Sequence, residues 1–146
     1  GKIHRKRPIE NVINEIKSIR QKNIIFFDAS MTTDPTYTKS LFKNMIGLDK
    51  KFTCYGNVNV LAKDDEFLKL ANEAGCVSWC IGFEALSQEI INHIGKTTNK
   101  IKDYQTAVNK IKDYDMNITG SFIFGFDNHG KNTFEETINM INKFSL

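Results

Sequence analysis

The sequence lacks the features that mark several classes of protein. It has 2 prolines and 9 glycines among 146 residues, too few for a collagen-like or low-complexity chain. Three cysteines are too few, and odd in number, for a disulfide-stapled secreted domain, so we expect a reducing, cytoplasmic setting. No apolar run approaches the ~20 residues of a membrane-spanning helix, and the start has no signal-peptide core. These absences favour a globular protein without a transmembrane segment.

The excess of positive charge is confined to the start of the chain, and the rest of the sequence lacks it. The formal net charge of +3 comes from 20 basic and 17 acidic residues. Four of the basic residues lie in an arm at the start of the chain: Lys2, Arg5, Lys6 and Arg7. The other 16 basic residues face 17 acidic ones, so the body of the protein is close to neutral. We therefore expect no specific nucleic-acid partner.

Hydrophobic periodicity predicts helices that alternate with strands. Apolar residues at helical spacing predict helices near residues 8–19, 35–48, 64–74, 87–94, 101–111 and 133–141. Short apolar runs predict four strands, at residues 24–28, 52–60, 77–83 and 118–126. This alternation is typical of a parallel sheet covered by helices. We therefore expect an α/β fold in a single domain, residues 1–146.

Polar side chains follow each predicted strand. Asp28, Glu84 and Asp127 end the first, third and fourth strands, and Asn57 and Asn59 stand near the end of the second. In parallel α/β folds, ligands bind at the carboxyl ends of the strands. Taken singly, each of these side chains is more simply a helix cap or a turn residue. Four strand ends that agree favour a binding rim.

The cysteines do not form a recognisable metal motif. Cys76 and Cys80 have a C-x3-C spacing, but no third ligand lies nearby in the sequence. We interpret both, together with Cys54, as small residues of the core. The sequence also contains no P-loop, G-x-S-x-G, H-E-x-x-H or dinucleotide fingerprint, so none of these motifs indicates its chemistry.

Three strings near the predicted strand ends carry a family resemblance. They are GFEALS at residues 82–87, GSFIFGFD at 120–127 and TFEET at 133–137, and residues 5–16 also fall in the family's order. Together they resemble the radical S-adenosylmethionine superfamily. More narrowly, the chain looks like the subgroup that carries an N-terminal cobalamin-binding domain and includes relatives of the anaerobic magnesium-protoporphyrin IX monomethyl ester cyclase. The resemblance spans nearly the whole chain.

The resemblance implies a fold and a set of cofactors. In that family a partial (β/α)6 TIM-like barrel binds a [4Fe–4S] cluster through C-x3-C-x2-C after its first strand. Reductive cleavage of S-adenosylmethionine then gives a 5′-deoxyadenosyl radical, which abstracts hydrogen from a small-molecule substrate. That cysteine motif is missing here. We therefore interpret the chain as an inactive fragment with about four strands of the barrel, which lacks the cluster-binding first strand and loop. The ligands of the cluster, and of any cobalamin, are expected outside it.

The resemblance also assigns S-adenosylmethionine contacts to five positions. Glu84, in Gly-x-Glu, resembles the acidic residue that helps to hold the cofactor's polar groups, since a carboxylate can accept hydrogen bonds from ribose hydroxyls or an ammonium group. Asp28 matches an acidic position at the end of the family's second strand. Gly120 and Gly125 resemble the strand along the adenine, and Asp127 ends that strand. From the residues alone, the two glycines predict close approach by a ligand or by a neighbouring element.

Two other functions remain open from the residues. One is a small α/β enzyme whose divalent metal is held by Asp28, Glu84, Asp127 and His129, because oxygen-rich sites suit Mg²⁺ or Mn²⁺. The other is a non-catalytic module that recruits a partner, or a second copy of itself, through open edges of its sheet.

Overall fold

A four-stranded parallel sheet, in the order β1-β2-β3-β4, forms the centre of the protein. The computed structural model describes residues 5–144, and Lys2 of the basic arm lies outside them. The strands are β1 (Asn23–Ile25), β2 (Lys51–Gly56), β3 (Cys76–Glu84) and β4 (Asn117–Phe122). The helices are α1 (Ile9–Ser18), α2 (Pro35–Met45), α3 (Val58–Leu61), α4 (Asp65–Glu73), α5 (Gln88–His93), α6 (Tyr104–Lys112, after a 3₁₀ turn at Ile101–Asp103) and α7 (Thr133–Phe144). The predicted α/β class is confirmed.

The second strand is shorter than the sequence predicts. It ends at Gly56 rather than at residue 60, and Val58–Leu61 forms a short helix. At Asn57 the backbone N–H donates to the Thr32 hydroxyl (2.9 Å) instead of continuing a strand ladder. A contact with the loop after β1 therefore ends β2, and this contact is not visible in the local sequence pattern.

The fourth strand is also shorter than predicted, because the neighbouring strand β3 ends at Glu84. Phe122 pairs with Glu84, and the Ile123 N–H donates the next hydrogen bond to the Glu84 carbonyl (2.8 Å). Beyond Glu84 the chain leaves the sheet, so residues 123–126 have no strand beside them. The predicted strand over residues 118–126 is wrong at its end, and Gly125 and Asp127 lie past it.

Helices cover one face of the sheet and leave the other face open. Phe52, Trp79 and Phe83 are completely or almost completely buried on the covered face, where aromatic rings from α2 and α4 pack against the first two. On the open face, Phe27 is 82% exposed and Tyr55 36% exposed. The hydrophobic core therefore fills only the space between sheet and helices.

The cysteines divide between the two faces. Cys54 and Cys76 are buried in the core with their sulfur atoms 4.0 Å apart, and burial raises the pKa of the Cys54 thiol. Cys80, in contrast, is half-buried, because it alternates with the buried residues Trp79 and Ile81 and so points to the open face. The prediction that all three are core residues is correct for two of them.

The last helix contributes less to the core than its apolar stripe predicts. Within the described part of α7, Thr137 is the buried residue, whereas Ile138 is 57% exposed. The ring of Phe134 stacks on Phe124 at 4.4 Å, and both are exposed. Within residues 5–144, no helix has the length and apolar character needed to cross a bilayer.

Candidate functional site

The carboxyl end of β3 holds an ion pair above a glycine. Glu84, the last residue of β3, has a φ of +67°, and its carboxylate Oε1 contacts the ammonium group of Lys96. The Lys96 ammonium also donates to the Gly82 carbonyl (3.1 Å). The two side chains are 14% and 25% exposed. A Cβ on Gly82 would lie 2.6 Å from Lys96 Nζ, so a larger residue there would require the flexible ends of the pair to move.

Two buried polar side chains fix the backbone beneath this pair. Asn99 is completely buried, and its amide donates to the carbonyls of Gly82 (2.9 Å) and Phe83 (3.1 Å). The Tyr104 hydroxyl donates to the Phe83 carbonyl at 2.6 Å and accepts from Asn99 at 3.2 Å. The Tyr104 ring meets the Phe83 ring edge-on at 4.9 Å. These bonds satisfy carbonyls at the point where β3 leaves the sheet.

Burial also keeps the Tyr104 hydroxyl protonated. Desolvation, and to a smaller extent the charge of Glu84, raise the pKa of Tyr104 to about 12, against an opposing effect of the Asn99 hydrogen bond. Tyr104 therefore remains a hydrogen-bond donor throughout the neutral range.

The carboxyl end of β1 opens on a cavity. The Phe26 N–H continues the ladder to the Thr53 carbonyl (3.0 Å), but Asp28 lies beyond it and is exposed. Asp28 lines a cavity of about 390 Å³ between α1, β1 and α2. The basic arm closes one side, since Lys6 pairs with Asp34 at 2.6 Å. Asp28 is thus accessible, although it does not end the strand as predicted.

The end of β2 is fastened to the loop that follows β1. The Asn57 amide donates to the Ser30 hydroxyl (3.1 Å), and Ser30 and Thr32 share a hydrogen bond of 2.7 Å. Asn59 lies in α3, and its buried side-chain oxygen has no recorded partner among the described residues. Asn57 therefore connects the end of β2 to the loop after β1, and Asn59 lies in α3 rather than at the end of β2.

The carboxyl end of β4 leads into an exposed loop. Gly120 lies inside β4, and a Cβ there would come within 3.0 Å of the Phe83 ring, so a neighbouring element makes the close approach. Gly125 has a φ of +98°, which favours glycine for its backbone conformation, and a Cβ there would meet nothing within 4 Å. Asp127 is exposed in a turn closed by the hydrogen bond from His129 N–H to the Phe126 carbonyl (2.9 Å).

The four residues of the metal alternative are not brought together. Glu84 is paired with Lys96, Asp28 faces the cavity beside β1, and Asp127 lies in the turn after β4. The His129 ring accepts a hydrogen bond from the Gly125 N–H (3.3 Å). Across residues 5–144, no group of three or more histidine, cysteine or acidic side chains has a geometry that could hold a metal ion. The structure therefore gives no support to a divalent-metal enzyme.

Sequence reasoning missed three residues of this site. Lys96, Asn99 and Tyr104 come 12 or more positions after Glu84, across α5. Lys96 follows the glycine that ends a predicted helix, where a basic residue is ordinarily a favourable helix end. Tyr104 belongs to the apolar stripe of the next helix and gives only a core signal. No short-range spacing could have linked them to β3.

Comparison with known proteins shows the family of the chain. Residues 1–141 match the radical SAM superfamily. The chain is 29% identical to the bacteriochlorophyllide d C-12(1)-methyltransferase of Chlorobaculum tepidum, over 97% of this chain and 32% of that protein. It is also 29% identical to the anaerobic magnesium-protoporphyrin IX monomethyl ester cyclase of Cereibacter sphaeroides, over 94% of this chain and 24% of that protein.

A solved structure shares the fold. TsrM from Kitasatospora setae, a radical S-adenosylmethionine methyltransferase determined with cobalamin and a [4Fe–4S] cluster bound, superposes with a TM-score of 0.86 at 15% identity. The match covers 96% of this chain and 29% of TsrM. The parallel sheet with its alternating helices is thus a fold that this chain shares with TsrM. The chain belongs to the radical SAM superfamily, and it spans about a third or less of the curated relatives that it matches.

Proposed function

We propose that this chain forms part of the S-adenosylmethionine-binding wall of a cobalamin-associated radical SAM enzyme that acts on a small molecule in the cytoplasm. Its family supports S-adenosylmethionine as the ligand. The cobalamin-bound fold neighbour and two relatives that act on tetrapyrroles support the subgroup. The reaction is then a methyl transfer or a ring closure on a small organic molecule, as the names of those relatives indicate.

The observation that carries this proposal is the carboxylate of Glu84. It is 14% exposed, it lies at the carboxyl end of β3, and its backbone is held at a φ of +67°. A non-glycine residue in this region is strained, and such strain is concentrated at binding and catalytic sites. A carboxylate fixed in this way suits a ligand that presents hydroxyl or ammonium donors, and S-adenosylmethionine has both.

The residues described here do not fit the iron–sulfur cluster. Cys54 and Cys76 are buried behind the sheet, and Cys80 is on the opposite face, so no three thiolates converge. When bound, the cluster supplies the electron for cleavage of S-adenosylmethionine. We propose that its ligands, like those of cobalamin, lie outside this chain, and that this chain contributes binding and orientation.

The free edge of β1 fits the same proposal. Within residues 5–144, β1 pairs with β2 and with no strand on its other side, where Ile24 and Ile25 line the cavity. We propose that the first strand of the barrel, with its cluster loop, occupies this edge and belongs to a longer polypeptide. Without that strand, the open edges of the sheet favour self-association of the chain when it is expressed alone.

Binding of S-adenosylmethionine tests the proposal. Isothermal titration calorimetry of the complete polypeptide, with its cluster reconstituted, should show weaker binding in Glu84→Gln by about tenfold, because a charge-assisted hydrogen bond is lost. Glu89→Gln is the matched control, since Glu89 is an exposed acid in α5. Absence of binding to the unaltered protein, or equal affinity in Glu84→Gln, would contradict the proposed site.

A second experiment tests the placement of the cluster. This chain alone, incubated anaerobically with iron and sulfide, should acquire no cluster absorbance and no reductive cleavage activity. A redox-active [4Fe–4S] cluster bound to residues 1–146 would show that the ligands are inside the chain.

A further inference from the structure

The Lys96 side chain contacts Glu84 at the carboxyl end of β3, the residue that the proposed function places beside S-adenosylmethionine. After α5, Gly95 turns the chain with a φ of +71°, and the Lys96 N–H closes that turn on the Ile91 carbonyl (3.1 Å). The side chain then extends over the carboxyl end of β3. There its ammonium contacts Glu84 Oε1 and the Gly82 carbonyl. Both partners are therefore on β3.

The pair leaves one carboxylate oxygen of Glu84 available. Lys96 holds Oε1, whereas Oε2 has no recorded hydrogen-bond donor among residues 5–144. Lys96 is 25% exposed and Glu84 14%, so water screens this contact less than it would an ion pair on the surface. An ammonium group that fixes one oxygen also fixes the direction of the other.

The backbone around the pair is held by further contacts. The Gly82 carbonyl accepts from the Lys96 ammonium and from the buried Asn99 amide, and both donors lie in the connection after α5. A Cβ on Gly82 would require the flexible ends of Lys96 and Glu84 to move. A salt bridge that serves stability alone would not need the left-handed φ of Glu84.

We propose that Lys96 is a positioning residue, which orients Glu84 so that Oε2 accepts a hydrogen bond from the hydroxyl or ammonium donors of S-adenosylmethionine. The inference rests on the proposed function. It adds that the affinity conferred by Glu84 depends on Lys96. It also predicts that substitution of either residue weakens the contact with the same part of the ligand.

The test compares two ligands and two single variants by calorimetry on the complete polypeptide. The ligands are S-adenosylmethionine and 5′-methylthioadenosine, which keeps the ribose and lacks the amino acid. We expect Lys96→Met and Glu84→Gln each to weaken S-adenosylmethionine binding about tenfold. If the donor is the ribose, both variants should weaken the binding of 5′-methylthioadenosine by the same factor. If the donor is the ammonium group, both variants should leave its affinity unchanged.

A purely structural lysine would loosen the whole site, and Lys96→Met would then weaken both ligands by the same factor. This result contradicts the inference where Glu84→Gln weakens S-adenosylmethionine alone. Where Glu84→Gln weakens both ligands, the double variant Lys96→Met/Glu84→Gln separates the two explanations. Unequal patterns, or an unchanged affinity for S-adenosylmethionine in Lys96→Met, would overturn the inference and leave the proposed function standing. If Glu84→Gln itself has no effect, the proposed site and the inference both fail. Lys100→Met is the matched control, since Lys100 is exposed in the same connection and has no recorded ion pair within the described chain.

A double variant keeps the test decisive if Lys96→Met folds poorly. Removal of the lysine leaves a largely buried carboxylate unpaired, and Lys96→Met/Glu84→Gln removes that charge as well. Its thermal unfolding midpoint should recover towards that of the unaltered protein. Its affinity for S-adenosylmethionine should equal that of Glu84→Gln, since the two residues act as a unit. Additive losses of affinity would show that Lys96 acts independently of Glu84.

Discussion

The ends of β3 and β4 look alike in the sequence and are built differently in the structure. Both strands are apolar, and each leads to an acidic residue, Glu84 or Asp127, expected at the rim. At β3 the carbonyls are bound by buried side chains, and the acid is paired with Lys96. At β4 the strand stops five residues short of the acid, which lies exposed in a turn.

The difference shows what makes a polar strand end a site. An acidic residue after a strand becomes oriented only where other elements supply partners for it and for the local backbone. The connection after α5 supplies Lys96 and Asn99 to the end of β3, and α6 supplies Tyr104. At the end of β4, His129 accepts a hydrogen bond from Gly125 in the same loop, and no ion pair to Asp127 occurs within residues 5–144. The β3 end should therefore respond strongly to substitution, and the β4 end weakly.

Asn99→Ala should have the largest effect. It removes the hydrogen bonds of a completely buried amide to Gly82, Phe83 and Tyr104 and leaves a small cavity, so we expect a loss of about 2–3 kcal/mol in the free energy of unfolding. Urea unfolding measures this loss. Asn128→Ala is the control at the β4 end, since its exposed amide donates to Glu89 (3.3 Å), and it should cost less than about 0.5 kcal/mol. Equal losses in the two variants would remove the distinction between the strand ends.

Tyr104 should make stability fall at alkaline pH. Its pKa is raised to about 12 in the folded state, whereas the unfolded tyrosine titrates near 10. The folded state therefore retains a proton that the unfolded state loses, and stability is complete below pH ~10 and declines as the pH rises through ~12. We expect a loss of roughly 2 kcal/mol by pH ~12.

The pH dependence is measured by urea unfolding between pH ~9 and ~12. Tyr104→Phe keeps the ring against Phe83 and removes the ionisable group, so its stability should fall less over this range. The difference between the two curves gives the contribution of Tyr104 and removes that of other groups that titrate at alkaline pH. Parallel curves would mean that the Tyr104 hydroxyl is not the group responsible.

Gly125→Ala should have the smallest effect of the three. The φ of +98° is unfavourable for alanine, but a Cβ there meets nothing within 4 Å, so we expect a loss of about 1 kcal/mol. Thermal unfolding measures it against Gly130→Ala, where a Cβ also meets nothing within 4 Å and no left-handed φ occurs. A loss as large as that of Asn99→Ala would show that the β4 loop is as tightly constrained as the β3 end.

The sequence predicted the elements better than their ends. The helix of residues 35–48 was predicted from Asp34-Pro35, and the structure shows the Asp34 carboxylate accepting the Tyr37 N–H (3.0 Å) at the start of α2. Such signals are local, because a cap and its partner are three residues apart. The overlong strand at residues 52–60 fails because Thr32, 25 residues earlier, binds the backbone N–H of Asn57. No local pattern contains that contact.

The sequence by itself determined the α/β class and the position of Glu84 at the end of a strand, because periodicity and chain order are properties of neighbouring residues. It also determined the family, through strings that lie at the strand ends. Only the tertiary structure decided that Glu84 is held and Asp127 is not. The reason is that Lys96, Asn99 and Tyr104 reach the end of β3 only after the chain has reversed through α5, and their hydrogen bonds depend on that path.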